Sequence, residues 1–198
     1  MERYLAPSEW IDSTHPQVQA QAAALAQGSS GSEDTARRCF EFVRDEIRHS
    51  WDYRQDRRQN PVTCRASDVL AHRTGYCYAK SHLLAALLRA NGIPAGLCYQ
   101  RLAVGTAGPP FCLHGLNAVW LPDHGWYRID ARGNKQGVDA RFTPPVERLA
   151  FPVLAREERD LPEIWAAPLD VIVAALTGHA TVEAVMASLP DIELLPVP

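Results

Sequence analysis

The sequence predicts an α+β fold in which a buried central helix packs on an antiparallel sheet. Two observations lead there. From Cys77 onward, Leu83, Leu84, Leu87 and Leu88 recur at helical intervals until "ANGIP", where Gly92 suits a left-handed cap and Pro94 blocks continuation. Three apolar, β-prone runs then follow: "AGLCYQRLAV", "HGLNAVWL" and "GWYRIDA", the last two separated by the turn residues "PDHG". Strands that follow a helix without further alternation place helix and sheet in separate layers.

Upstream, residues 16–27 ("PQVQAQAAALAQ") are strong helix formers that stop at Gly28 and the small polar linker "SSGS". Ser32 is placed to cap a second helix, whose stripe Ala36, Cys39, Phe40, Val43 and Ile47 faces inward. After "SWDYR" and a polar stretch, Ser67 is expected to cap a short helix closed by Gly75. From Pro144 prolines recur, and helices are expected near 168–177 and 180–188. The tail "PDIELLPVP" reads as an extended arm or packed terminal segment. The whole chain, 1–198, reads as one domain with a core over about 32–150, leaving 162–198 open as a helical appendage.

Composition narrows the function. With 46% apolar and 22% charged residues, the chain is ordinary globular material, and a net charge of -3 argues against a protein that tracks phosphates, so no nucleic-acid partner is expected. The basic run from Arg54 to Arg58 is interrupted by polar and acidic residues and reads as a solvated loop. "MERYLAPSEW" carries no apolar signal segment and no run is long enough to span a membrane, so a cytoplasmic protein without a membrane partner is expected. Five scattered cysteines fit reduced thiols.

One of those thiols stands out by position. In "RTGYCYAK", Cys77 falls where the helix begins, and the positive end of the backbone dipole favours a thiolate there. A thiolate nucleophile needs a base, and the base needs a third group to orient it. His114 opens one strand and Asp130 lies near the end of the next. If Trp120 pairs with Trp126 across a five-residue connection, "LPDHG", Leu116 falls opposite Asp130 and His114 becomes its diagonal neighbour, roughly 7 to 8 Å away between alpha carbons. A register shifted by one residue would point the two side chains apart.

The pattern "ASDVLAHRTGYCYAKSHLLAALLRANGIPAGLCY", followed by "HGLNAVWL" and "GWYRIDARGNK", resembles the core of the transglutaminase-like superfamily, a papain-related α+β fold, over roughly residues 35–135. The resemblance implies Cys77 as nucleophile, His114 as base and Asp130 as orienter. It also implies acyl chemistry on an amide or peptide bond through a thioester. The backbone N–H of Cys77 is the natural first oxyanion donor. By analogy with superfamily members, Trp51 or Tyr53 is the second, and the choice stays open here.

Animal transglutaminases are much larger and carry calcium sites, whereas this chain lacks calcium-loop spacing, so it looks closest to small bacterial-type peptidases and amidases. Hydrolysis is favoured over crosslinking, since one small domain has few means to exclude water. The expected partner is a peptide, protein or small amide, and no cofactor is needed. A zinc site drawn from Cys64, Cys77, Cys98, Cys112, His72 and His114 has no C-x-x-C or H-x-x-x-H pair to support it. Gln100 follows the nucleophile and is given no oxyanion role. "DARGNKQG" reads equally as a cleft-lining loop or a surface turn. The competing class is a catalytically silent binding or scaffold module on the same fold.

Overall fold

The computed structural model describes residues 1–56, 59–105 and 108–192. Part of the basic run Arg54–Arg58 and residues 193–198 of the predicted terminal arm lie outside the described residues.

Helix α1 (Pro16–Ala26) and helix α2 (Ser32–Glu46) are followed by the two-residue strand β1 (Arg48–His49). Helix α3 (Ala66–His72) and strand β2 (Thr74–Gly75) lead into α4 (Cys77–Ala90). Strands β3 (Ala95–Ala103), β4 (Phe111–Leu121) and β5 (Gly125–Ile129) come next, then β6 (Arg159–Asp160), α5 (Asp170–Thr177) and α6 (Val182–Ala187). The predicted α+β class holds: one antiparallel sheet in the order β5-β4-β3-β6, and a separate β1-β2 pair that is parallel.

Every residue of α4 from Cys77 to Arg89 is buried. Such a helix needs apolar matter all round it, supplied by α1, α2 and α3 together with β3 and β4. Each fully buried leucine contributes about 1.5–3 kcal/mol, and Leu83, Leu84, Leu87 and Leu88 are all wholly buried. Gly92 ends the helix as expected, with φ of 70°. Leu169, Ile172, Leu176, Val182 and Val185, from α5, α6 and the turns before them, are buried in the same apolar cluster as α4.

Three local expectations change. Ser32 is the first residue of α2, not its cap; Gly31 holds the cap position, and the Asp34 carboxylate reaches back to the Ser30 N–H at 3.1 Å. Ser67 lies inside α3, where its N–H donates to the Asp12 carboxylate at 3.0 Å, so an acid from 55 residues upstream serves this end. Gly75 does not close α3. Arg73 takes the left-handed turn, with φ of 53°, and Gly75 belongs to β2, where a methyl group would come within 3.1 Å of the Ala79 Cβ.

The β1–β2 pairing matters for everything downstream. Arg48 N–H donates to the Arg73 carbonyl and Ser50 N–H to the Gly75 carbonyl, which lays the segment after α2 alongside the residues that precede Cys77. In the sheet, Trp120 pairs with Trp126 as predicted. The strands run further than expected, to Leu121 and Gly125, and leave a three-residue loop whose exit Gly125 has φ of 72°.

Candidate active site

Cys77 is the first residue of α4, and no side chain caps that end, so the orphan N–H groups of the first turn stay available. Its neighbours anchor it. The Tyr76 hydroxyl donates to the Val182 carbonyl at 2.6 Å, the Tyr78 hydroxyl donates to the Leu113 carbonyl, and Ser81 Oγ donates to the Cys77 carbonyl at 2.8 Å.

The sheet brings the second residue to the thiol through a glycine. Gly115 N–H points at Cys77 Sγ at 3.5 Å. A Cβ on Gly115 would lie 2.8 Å from the Tyr78 ring and 3.2 Å from the Tyr78 Cα, so only glycine lets the first turn of α4 sit this close to β4. Because the Tyr78 ring is fixed by its hydroxyl, Gly115→Ala is expected to push α4 and β4 apart and cut turnover by about 100-fold, as a misplacement near 1 Å does. Circular dichroism on the same variant separates this from unfolding.

His114 Nε2 lies 2.8 Å from Asp130 Oδ2. The pairing of Asn117 with Ile129 puts Asp130 one step past the end of β5, on the parity that lets it face His114. With Nε2 so engaged, Nδ1 is the ring nitrogen left to serve the Cys77 thiol. Burial alone would push the imidazole pKa down; the charges of Asp130 and Cys77, and hydrogen bonds to both, outweigh it and raise the value to about 10. Asp130 is wholly buried, which opposes its charge, yet the His114 charge and bond and the N–H groups of Ala150 (3.0 Å) and Arg132 (3.1 Å) hold its pKa below the usual carboxylate range. The Phe151 ring stands edge-on to the imidazole at 5.1 Å.

The three residues named from the sequence therefore come together, with Cys77 and His114 lining a cleft of about 540 Å³ and Asp130 wholly buried against His114. Trp51 lines that cleft, its ring stacked under the Arg54 guanidinium at 4.6 Å. Tyr53 is 48% exposed, stacks against Arg48 and is not among the cleft-lining residues. Of the loop "DARGNKQG", Arg132 lines the cleft and pairs through both guanidinium nitrogens with Asp52, which Lys135 also holds at 2.7 Å. Gln100 points elsewhere, donating to Asp160 Oδ1 at 2.9 Å and the Phe151 carbonyl at 3.3 Å.

Two contributors escape sequence reasoning. His49 is buried in the cleft wall, edge-on to Tyr76 at 5.6 Å, and burial first, then the Arg132 and Lys80 charges, press its pKa well below the ordinary value. Lys80 is buried in α4, and its ammonium donates to the carbonyls of Ile47 and Arg132, tying the end of α2 to the residue that supports Asp130. The β1–β2 pairing carries the signal for His49, and two residues are too short a strand to read from periodicity.

The other thiols lie away from the start of α4, Cys112 in the lining of the same cleft. Burial pushes the pKa values of Cys39, Cys64, Cys98 and Cys112 up to about 12. Among the described residues, no group of three His, Cys, Asp or Glu side chains is arranged to hold a metal ion.

A helix-borne cysteine, a strand histidine and a buried aspartate on a mixed α and antiparallel framework place the protein among the papain-related folds. The chain belongs to the transglutaminase-like superfamily, whose core family model matches residues 19–131. Among solved structures it is similar to a candidate cysteine protease from Cytophaga hutchinsonii, with TM-score 0.51 and 21% identity over 65% of this chain and 40% of that one. It is also similar to the periplasmic domain of TgpA from Pseudomonas aeruginosa, with TM-score 0.46 and 21% identity over 65% of this chain and 45% of that one. The chain thus spans less than half the length of either, and the likeness is one of fold. No curated protein matches it.

Proposed function

We propose that the protein is a cysteine hydrolase of amide or peptide bonds that works through a thioester. The observation that carries this reading is the buried relay from Asp130 Oδ2 to His114 Nε2 at 2.8 Å, in the same cleft lining as Cys77 at the start of α4. In the proposed cycle, Cys77 Sγ attacks the carbonyl carbon while the thiol proton resides on His114. The backbone N–H of Cys77 holds the tetrahedral oxyanion, joined by the Trp51 indole in preference to Tyr53, since Trp51 alone of the two lines the cleft. The C–N bond breaks as His114 gives its proton to the leaving amine. Water, deprotonated by His114, then cleaves the thioester, and the carboxylic acid departs.

Water is the favoured acceptor because the cleft opens to solvent directly. The test is product mass after incubation with a mixed peptide library, with and without a simple primary amine in excess. Mass gain of one water per cleavage supports hydrolysis; a product carrying the amine in its place would assign transfer instead, and no product of either kind would favour the silent binding module. The five free thiols fit a reducing, cytoplasmic setting, a part of the proposal that cell fractionation tests by finding the chain in soluble or periplasmic extract.

A further inference from the structure

From the lining of the cleft we infer the substrate class: the group on the acyl side of the scissile bond is large and apolar, and residues after the family core select it. This rests on Cys77 acting as the nucleophile. The cleft wall beyond Cys77 and His114 is made by Leu102 and Val104 of the β3 end, Phe151, Leu154, and Met186 and Leu189 of the α6 region. The last four lie beyond residue 131, where the family match ends. The α6 region is fastened to the site itself. Val182 accepts the Tyr76 hydroxyl at 2.6 Å, Leu113 N–H donates to the Pro190 carbonyl at 2.7 Å, and Arg101 pairs with Asp191 at 2.6 Å.

The guanidinium in the cleft lining is already paired. Arg132 is paired with Asp52 through two nitrogens. The Glu158 carboxylate accepts N–H groups from Ala103 at 3.0 Å, Leu154 at 2.9 Å and Ala155 at 3.0 Å. An anionic acyl-side residue would therefore lose its water without gaining a partner and would face the Glu158 carboxylate, which is costly. An apolar one meets the opposite situation. Leu154 at 82% exposed and Val104 at 37% stand uncovered at the rim, and an apolar occupant would remove that surface from water. A volume of about 540 Å³ suits one large side chain or acyl chain together with its carbonyl.

The test uses p-nitrophenyl esters from acetate to hexanoate. In the step measured, the Cys77 Sγ–carbon bond forms, the ester C–O bond breaks, p-nitrophenolate leaves with the electron pair, and the proton that left the thiol stays on His114. Release of p-nitrophenolate gives the rate, and intact mass locates the acyl group on Cys77. Relative to N-acetylcysteine under the same conditions, the second-order rate is expected to rise about fourfold per added methylene. Leu154→Glu, at an exposed position that folding tolerates, and Met186→Glu are each expected to lower the hexanoate-to-acetate ratio about tenfold.

Acylation of Cys77 with a flat or falling series would overturn the inference while leaving the nucleophile in place. A rising series unchanged in both variants would overturn the assignment of the wall. No acylation of Cys77 by any ester would overturn the hydrolase reading and this inference with it.

Discussion

At pH 7, iodoacetamide is expected to label Cys77 within minutes and leave Cys39, Cys64, Cys98 and Cys112 largely unmodified, and His114→Ala is expected to slow the Cys77 reaction roughly 10–100-fold. The contrast comes from two directions. Burial drives the other four thiols to about 12, so almost none of each is thiolate at neutral pH. Cys77 sits at an uncapped helix start, meets the Gly115 N–H at 3.5 Å and lines the same cleft as the His114 imidazole. For amide turnover the loss should be larger, about 1,000-fold or more in kcat/KM for Cys77→Ala or His114→Ala, because both act in the same step. The pH profile has a defined sign. His114 is raised to about 10, so it keeps the proton that the leaving amine needs through neutral pH, and acylation should fall as pH climbs through that value. Peptide mass spectrometry of all five cysteines reads the first result. Equal labelling of Cys77 and Cys112 would remove Cys77 as an activated nucleophile.

How far the site was legible depends on how local each signal is. The β4–β5 register could be read because side chains alternate strictly along strands and one slip would turn Asp130 away from His114. Cys77 could be read because the apolar helix behind it is long and ends in an unambiguous "NGIP". The dipeptide "HG" at 114–115 was visible too, but the reason for the glycine, close approach of Tyr78, exists only once helix and sheet are packed. His49 was missed as a cleft residue, and Arg132 was left between a cleft-lining loop and a surface turn, for a related reason. The first is delivered by a two-residue parallel pairing, and the second is positioned by Asp52, 80 residues away. Even the choice between Trp51 and Tyr53 turns on a tight turn over 51–55 that directs one ring to the cleft and the other to solvent. Periodicity reports which face of an element is buried, and it is silent on what a neighbour 50 or 100 residues distant brings to that face.

Asp130→Ala should cost about 3–5 kcal/mol, the penalty for leaving one member of a buried ion pair alone, and should lower Tm by roughly 10 °C in a chain of this size. The carboxylate accepts from His114 Nε2 and from the N–H groups of Ala150 and Arg132, so its removal strands three buried donors at once. Asp130→Asn keeps the shape but offers an NH2 to groups that are themselves donors, and a drop of about 100- to 10,000-fold in kcat is expected as the imidazole loses its orientation. The pH dependence of the stability loss distinguishes an ion pair from a neutral hydrogen bond. Asp130 has a depressed pKa in the fold, so its contribution is present above the unfolded value near 3.9 and is lost as pH falls. His114 has a raised pKa, so its contribution is complete below the unfolded value near 6.5 and is lost as pH rises through about 10. The Tm gap between wild type and Asp130→Ala is thus expected to be widest between about pH 4 and 6.5 and to narrow on both sides. A gap that stays constant from pH 4 to pH 9, within about 1 °C, would mean that His114 meets Asp130 uncharged. The imidazolium would then be lost from the acylation step, and His114 would have to take its proton from Cys77 during the attack itself.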